Sequence, residues 1–340
     1  MTVIEDSTPL QQNHLPDEII DRESEREQLQ KAPTDQNLHI HGPRGTGKTH
    51  LIKKYVEDID GKACYISCLE HDTQYKILQQ LVSQLTHDSI QTGHHTSELQ
   101  RKIEEHTDVL DFTVVLDELD FLLLNDGDDL LYFLSRLNNP PRIITITANT
   151  EDLKQQIEPR TYSSLHPRRI QFEPYTGQQI YEILADRASK TLKPKSLHRN
   201  AATYIASSTQ NAELALTWLR TAAQHADEAV TEELVQEIRE DAYNLHIEKH
   251  LEKLSQHHRN LYQAIQELSK EKGPVVNAGS IYQRYQKITE ERGREPLSNR
   301  RTSDYLKQLE ELNLIKAEYH YGGEKGKTRE VRLTDQADNI

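Results

Sequence analysis

Eight consecutive residues near the start of the chain combine the glycines, the lysine and the hydroxyl group that a phosphate site needs. They are Gly42, Pro43, Arg44, Gly45, Thr46, Gly47, Lys48 and Thr49, and they fit the pattern G-x-x-x-x-G-K-S/T without a mismatch. An apolar run at 38–41 precedes them, and a helical pattern that includes His50 follows. Because glycines let the backbone curl, successive N–H groups can point at phosphate oxygens, and the helix adds its positive N-terminal end. We therefore predict a nucleotide site at this P-loop (residues 42–49) and His50, in which Lys48 neutralises the β- and γ-phosphates and Thr49 binds Mg²⁺.

Two acids and an asparagine follow later apolar runs, at places suited to metal binding and water activation. Asp117 and Glu118 come directly after the run FTVVL, and Asn149 comes shortly after the run RIITIT. We predict that Asp117 holds Mg²⁺ through its water shell, that Glu118 orients or deprotonates an attacking water, and that Asn149 contacts the γ-phosphate. Taken singly, the acid pair could be a solvated strand end and Asn149 a turn former. The order of the three motifs favours the catalytic interpretation.

The elements that must position these motifs are β-rich runs alternating with helical patterns, as in a doubly wound α/β domain. Four runs are largely apolar, which is typical of a parallel sheet covered on both faces: 38–41, 62–68, 112–116 and 142–147. After Pro174 the β pattern stops, and residues 176–245 form successive amphipathic helical patterns. We predict a nucleotide-binding domain, a helical lid domain and a C-terminal domain, with the bounds 1–173, 174–248 and 249–340.

Residues 255–335 have the pattern of a winged helix, with three helices followed by a β-hairpin over 315–333. Ser298 is expected to cap the third helix, whose Leu306 and Leu309 lie on one side. Polar and basic residues remain for phosphates and base edges on the opposite face and at the glycine-rich hairpin tip. The predicted DNA contacts are Asn299, Arg300, Arg301, Ser303, Lys307, Lys325, Lys327 and Arg329. A winged helix that contacts protein, with a solvated basic tip, is the alternative.

Composition and charge restrict the class of protein. The 340 residues suit two or three domains, and the net charge of −14 argues against a nonspecific nucleic-acid coat. The charge is uneven, because residues 255–340 hold 15 Lys+Arg against 13 Asp+Glu whereas residues 1–254 hold 26 against 42. The chain has no run of 18 apolar residues, and its first twenty residues lack an apolar stretch. We therefore expect a cytoplasmic protein without a secretory signal, in which Cys64 and Cys68 are buried thiols. The predicted DNA contacts add the expectation that it is nucleoid-associated.

With the P-loop, the acid pair and the winged helix in this order, the chain resembles the archaeal initiator family related to the origin recognition complex and cell division control protein 6. The resemblance extends from about Leu15 to Leu333 and includes strings more specific than the ATPase motifs, such as LPDEIIDRESEREQL, VVLDELDFL and REPLSNRRTSDYLKQLEELNLI. It implies an AAA+ P-loop parallel-sheet domain, an α-helical lid and a C-terminal winged helix. It also implies an ATP-dependent initiator that uses ATP or ADP with Mg²⁺, binds origin duplex DNA, recruits the replicative helicase and meets further copies or paralogues on the DNA.

The resemblance assigns roles to residues outside the P-loop and the acid pair. Arg160 falls where the family keeps an arginine that can reach the γ-phosphate of a neighbouring subunit, although a surface ion pair is the alternative for it. Ile20 and Arg22 lie in a stretch that resembles the adenine-contacting segment. The helix near Tyr75 corresponds to the family's extra DNA-contacting insertion, but Lys76 is its only basic residue, so we expect little DNA contact there.

One departure from the family concerns the lid. The family has Gly-Asp-Ala-Arg at the start of a lid helix, and the arginine reaches the γ-phosphate. This chain has Gln210, Asn211, Ala212 and Glu213 instead, and Arg220 lies about 10.5 Å further along the helix axis. We therefore predict that nucleotide binds, that the lid senses ATP weakly and that hydrolysis is slow.

Two other functions fit the same sequence. The first is a hydrolysis-poor DNA-binding paralogue that regulates an extrachromosomal replicon or transcription, with nucleotide as a structural ligand, and Glu213 favours it. The second is an AAA+ transposition or signalling ATPase whose winged helix binds protein.

Overall fold

The computed structural model contains two compact units, Met1–Ile238 and Arg239–Ile340. The residues that it describes are 3–11, 14–16, 18–59, 61–86, 93–107, 112–148, 152–320 and 328–334. Among these residues, no helix combines the length and the apolar character that spanning a membrane requires.

A five-stranded parallel sheet forms the centre of the first unit, with the strand order β2-β3-β4-β1-β5. Its strands are β1 (Leu38–His41), β2 (Lys62–Ser67), β3 (Phe112–Asp117), β4 (Arg142–Thr147) and β5 (Arg168–Gln171). Every residue of β1, β3 and β4 is buried. Since successive side chains point to opposite faces, such burial means that both faces of the central strands are covered.

Helices connect the strands and continue beyond the sheet. Those of the first unit are a short 3₁₀ turn (Thr8–Leu10), α1 (Glu23–Gln30), α2 (Lys48–Glu57), α3 (Gln74–Thr86), α4 (Thr96–Thr107), α5 (Leu119–Asn125), α6 (Asp129–Ser135), α7 (Leu153–Gln156), α8 (Pro159–Leu165), α9 (Gly177–Thr191), α10 (Arg199–Ser208) and α11 (Ala212–His225). Helices α9 to α11, here called the lid helices, pack on one another. A further helix, α12 (Glu232–Glu252), contains the division between the units.

The second unit is a winged helix with three helices and a three-stranded antiparallel sheet of order β6-β8-β7. Its elements are α13 (Gln256–Lys272), β6 (Val275–Asn277), α14 (Ala278–Glu291), α15 (Asn299–Glu311), β7 (Ile315–His320) and β8 (Thr328–Leu333). Ser298 caps α15 by accepting a hydrogen bond from the Arg301 amide, and Leu306 and Leu309 are buried. The structure therefore confirms the predicted parallel α/β sheet and C-terminal winged helix.

Two strands escaped the sequence analysis. In β5 only Ile170 is buried, and it lies between Arg169 and Gln171 at an edge of the sheet, so neither an apolar run nor a buried alternation is visible. The strand β6 has three residues, which is too short for a periodic pattern. Cys64 and Cys68 are buried free thiols, as expected, and burial raises the pKa of Cys64 to about 11. The three predicted domain bounds stay predictions.

Candidate functional site

The P-loop connects the end of β1 to the start of α2 through a backbone that only glycine adopts easily. Gly42, Gly45 and Gly47 have φ angles of +143°, +73° and +85°. A Cβ atom on Gly42 would lie 2.1 Å from the carbonyl oxygen of Phe172, so a side chain there would also collide with the chain after β5. The left-handed residues curl the loop so that its amides can face a bound anion, and the first turn of α2 follows directly.

The lid helices approach the P-loop directly. The Ala212 amide donates a hydrogen bond to the Gly45 carbonyl at 3.1 Å. The side chain of Asn211 caps α11 by accepting from the Glu213 and Leu214 amides at 3.0 and 3.1 Å. The same side chain is so close to Gly45 that an added Cβ would lie 1.9 Å from its oxygen. The start of α11 therefore lies against the P-loop, where the resemblance implied a sensing residue.

Lys48 is buried within the P-loop. Its Nζ donates to the carbonyl oxygens of Gly42 and Pro43, each at 2.6 Å. Burial, and after it the nearby charge of Arg44, lowers the pKa of Lys48 to about 7. An anion beside the ammonium group would favour its charged form, so this lysine is suited to hold phosphate.

Asp117 gathers hydroxyl groups from two neighbouring elements at the end of β3. Its Oδ2 accepts from the Thr49 hydroxyl at 2.9 Å and from the Tyr65 hydroxyl at 2.5 Å. Its Oδ1 accepts from the Glu118 amide at 2.9 Å. The structure thus brings Thr49 and Asp117 together, as a shared Mg²⁺ site requires. Sequence reasoning missed Tyr65, because only the register of β2 against β3 brings its hydroxyl to the carboxylate.

Glu118 follows Asp117 in a left-handed conformation, with φ 56° and ψ 43°. Such a conformation is uncommon for a residue other than glycine, asparagine or aspartate, and it turns the chain from β3 into α5. The Ser67 hydroxyl donates to Glu118 Oε2 at 3.0 Å, and Arg44 Nη1 lies 3.3 Å from Oε1. Ser67 is therefore a second residue from β2 that sequence reasoning missed, for the same reason as Tyr65.

Asp120 is a third missed residue. It is buried, and its Oδ2 accepts from the Ala148 amide at 2.8 Å, which ties α5 to the end of β4. Burial raises the pKa of Asp120. The signal was the third acid of the string DELD, one residue into α5. Asn149, the predicted γ-phosphate contact, lies outside the described residues.

The aromatic ring of Tyr175 connects the predicted adenine segment to the P-loop. The guanidinium of Arg22 is buried 4.0 Å from the ring centroid of Tyr175 and pairs with Glu25 at 2.6 Å. The Tyr175 hydroxyl is close enough to Gly47 that an added Cβ there would lie 2.7 Å away. Ile20 is half-buried. These placements leave the adenine contact a prediction.

His50 and Arg160 occupy contrasting surroundings. His50, in the first turn of α2, is half-buried, and burial lowers its pKa while the charge of Glu213 acts in the opposite direction. Arg160 is exposed on α8, with 55% of its side chain accessible, and it pairs with Glu158 at 2.7 Å and Asp129 at 3.6 Å. These ion pairs are the alternative that the sequence allowed for Arg160, but an exposed arginine can also reach another molecule. Its action on the site of a neighbouring subunit stays a prediction.

The winged helix presents its predicted contacts unevenly. Asn299, Arg300, Arg301 and Lys307 are exposed on α15, and Ser303 is half-buried. Arg329 is buried on β8, where it pairs with Glu310 at 3.0 Å and donates to the Ser303 carbonyl at 3.3 Å. It therefore attaches the hairpin to α15 within this unit. Lys325 and Lys327, at the predicted hairpin tip, lie outside the described residues.

Comparison with known proteins gives two family matches in this chain. Residues 249–340 match the C-terminal winged helix domain of CDC6, and residues 32–157 match an AAA domain. The ORC1-type DNA replication protein 1 of Methanothermobacter thermautotrophicus is 31% identical over 98% of this chain and 94% of its own length. The ORC1-type DNA replication protein of Pyrococcus horikoshii is 30% identical over 89% of this chain and 79% of its own length.

Solved structures of ORC1 and Cdc6 proteins are also similar to this chain. The Aeropyrum pernix ORC1 protein, solved in complex with DNA, matches with a TM-score of 0.76 and 26% identity, covering 98% of this chain and 94% of that one. Cdc6p from Pyrobaculum aerophilum has the same fold, with a TM-score of 0.63 and 21% identity over 99% of this chain and 96% of that one.

Proposed function

Since the chain belongs to the archaeal family of ORC1-type DNA replication proteins, we propose that it is an initiator that binds origin duplex DNA under the control of bound ATP or ADP. On this proposal the winged helix grips a DNA element, and the ATP-bound form associates with further copies or paralogues and helps to recruit the replicative helicase. A family member 26% identical to this chain was solved with DNA, which supports the DNA part of the proposal.

The observation that carries the nucleotide part is the glycine cradle of the P-loop. The loop has three left-handed glycines and a buried lysine and leads into the first turn of α2, and the start of α11 lies against it. Backbone amides and a helix N-terminus together favour a polyphosphate because both present positive partial charge. We assign phosphate binding to the P-loop residues and His50, and adenine contact to Ile20 and Arg22.

The residues present also fit Mg²⁺. The Thr49 hydroxyl and the Asp117 carboxylate supply hard oxygen donors 2.9 Å apart, which is the ligand type that this ion prefers. Thr49 would bind the ion directly, and Asp117 would hold it through its water shell. When bound, Mg²⁺ neutralises charge on the β- and γ-phosphate oxygens.

Hydrolysis of ATP to ADP and phosphate is proposed to be slow. Glu118 would orient or deprotonate the attacking water, Asn149 would contact the γ-phosphate, and Arg160 would act on the site of a neighbouring subunit. The place of the family's lid arginine holds Glu213, in the first turn of α11 beside the P-loop. A carboxylate that faces the triphosphate from there would repel it instead of stabilising it, unless its side chain turns outward.

The role of Glu213 is tested by steady-state turnover of ATP. We expect Glu213→Arg to tighten ATP binding and raise turnover, and Glu213→Ala to give a smaller change in the same direction. Glu228→Ala, which changes a surface acid, is the matched control and should leave both quantities unchanged. Brisk turnover of the unmodified chain that collapses in Glu213→Ala would contradict this assignment.

Nucleotide controls DNA binding only through contacts that differ between ATP and ADP, because a ligand that binds two states equally shifts neither. The direct test measures nucleotide retention by the purified chain and its footprint on genomic DNA, with ADP and with a non-hydrolysable ATP analogue. We expect nucleotide to be retained and the footprint to concentrate on discrete duplex elements, with a stronger footprint in one nucleotide state. A chain that retains no adenine nucleotide, or ignores duplexes even at low salt, refutes the proposal.

A second candidate function is the hydrolysis-poor paralogue that regulates an extrachromosomal replicon or transcription, and Glu213 is the observation that favours it. Glu118→Ala separates the two, since it removes the proposed water-orienting group. Unchanged function of that variant in cells would favour the paralogue, and a replication defect would favour the initiator.

A further inference from the structure

Arg44, the third residue of the P-loop, reaches across the site to the end of β3. Its Nη1 lies 3.3 Å from Glu118 Oε1, and only 14% of its side chain is accessible. Its guanidinium carbon lies 5.7 Å from the ring centroid of Phe121 on α5. A cation of the phosphate-binding loop is thus held against the carboxylate proposed to act on water.

Glu118 is engaged from two sides in this arrangement. Ser67 donates to Oε2 at 3.0 Å while Arg44 contacts Oε1, and the backbone of Glu118 is in the left-handed conformation. A carboxylate that pairs with a guanidinium presents fewer lone pairs to a water molecule. The pair with Arg44 therefore competes with the role proposed for Glu118.

Arg44 differs from the other charged residues around the P-loop in the partner that it contacts. The start of α11 meets Gly45 through the Ala212 amide, and the next residue is the acid Glu213, not a cation. The P-loop itself contains two cations, Arg44 and Lys48. Lys48 donates to carbonyl oxygens of its own loop, whereas Arg44 pairs with a carboxylate, a partner for which a phosphate group is a chemical substitute.

We infer that Arg44 senses the γ-phosphate in this chain, in place of a cation from the lid. The inference rests on the proposed binding of adenine nucleotide at the P-loop. With a diphosphate, Arg44 stays paired with Glu118. With a triphosphate, the guanidinium moves to the γ-phosphate, which offers the same fork-shaped set of acceptors and more negative charge, and Glu118 is released.

The experiment measures binding of Mg²⁺-ADP and of Mg²⁺ with the β,γ-imido analogue of ATP, by titration calorimetry on the full chain. In Arg44→Ala, affinity for the analogue should fall about ten-fold more than affinity for ADP, the size expected when a charge-assisted contact is lost. In Glu118→Gln, affinity for the analogue should rise several-fold, because the competing carboxylate has lost its charge. This gain should vanish in the double variant, since no guanidinium remains to be released.

Arg101→Ala is the matched control, because it removes an exposed arginine on α4 that pairs with Glu105 at 3.1 Å. It should change neither affinity. Arg44→Lys retains the charge without the fork and should give an analogue-to-ADP ratio between those of the unmodified chain and Arg44→Ala, which keeps the test available if the alanine variant misfolds.

Two results overturn the inference: an equal loss of both nucleotides in Arg44→Ala, or a gain from Glu118→Gln that persists in the double variant. Failure of the proposed function is recognised separately, because the unmodified chain would then bind neither ADP nor the analogue, and the inference would fall with it.

Discussion

The two candidate sites of this protein are built in opposite ways. The nucleotide site collects groups from the P-loop, from β2 and β3, and from the start of α11, so its members meet only in the folded chain. The exposed polar face of α15 lies on one helix between Asn299 and Lys307, where helical periodicity alone brings its residues to one side. Shared hydrogen bonds should couple the members of the first site, whereas residues of the second are expected to act separately.

The largest effect is expected at the centre of the coupled site. Lys48→Ala removes a buried ammonium and should weaken binding of ATP and ADP about 100-fold, which corresponds to two charge-assisted hydrogen bonds. Duplex binding by the winged helix in the absence of nucleotide should stay within about two-fold, a difference of roughly 0.4 kcal/mol. Calorimetric titration measures nucleotide affinity and fluorescence anisotropy measures duplex affinity. A parallel loss of both would contradict the prediction that the two sites are separate.

A buried histidine in β1, the strand that leads into the P-loop, should make the stability of the fold depend on pH. His39 is 1% exposed, its Nδ1 lies 3.0 Å from the Thr145 hydroxyl, and burial, followed by the charge of His41, lowers its pKa to about 3. Below about pH 6.5, His39 therefore binds a proton in the unfolded chain but stays neutral in the native chain. Stability falls as the pH falls toward 3. Between pH 6.5 and 5 we expect His39 by itself to contribute a loss of about 2 kcal/mol in the free energy of unfolding.

Urea unfolding of the full chain at several pH values measures this effect, and His39→Leu should flatten the slope. His166→Leu, at the end of α8, is the comparison variant and should retain the slope. The same acid dependence in His39→Leu as in the unmodified chain would show that another group controls it.

A smaller, selective effect is expected on α15. Arg300→Ala should weaken duplex binding about ten-fold and reduce the salt dependence of the affinity by about one unit, because one phosphate or base contact is lost. Nucleotide binding should survive. Lys31→Ala, which changes an exposed lysine on the helix cap after α1, serves as control. Loss of both activities in Arg300→Ala would indicate misfolding instead of a lost contact.

The smallest expected effect is the coupling energy between two residues of the same site. Thr49 and Asp117 share a hydrogen bond, so Thr49→Val and Asp117→Asn should show a coupling of about 1 kcal/mol in nucleotide affinity. Arg300 and Lys307 are two helical turns apart, and their alanine variants should add within about 0.5 kcal/mol in duplex affinity. Double-variant cycles measure both, and strong coupling on α15 would mean that its contacts are made jointly.

The sequence was sufficient for what depends on local pattern. The glycines of the P-loop, the strands β1, β3 and β4, and the capped helix α15 carry fixed spacings or long apolar runs, and each was predicted near its observed position. The edge strand β5 was missed because its one buried residue, Ile170, gives no period to recognise.

Side-chain partners across the sheet were not predictable in the same way. Tyr65 and Ser67 are 52 and 51 residues from the acids that they contact. Arg329 was predicted as a DNA contact from its charge and its place near the hairpin tip, yet its guanidinium lies buried against Glu310. A charged residue in sequence carries no mark of the partner that register and packing will give it.

The amino-acid order alone determined that a phosphate-binding turn, an acid pair and a three-helix module with a hairpin follow one another, because glycine freedom and hydrophobic period are properties of short segments. Only the tertiary structure decided that Arg44 meets Glu118, that the Ala212 amide meets Gly45 and that β2 supplies hydroxyls to both acids. Those contacts join segments far apart in sequence, and their geometry is set by strand register and helix packing.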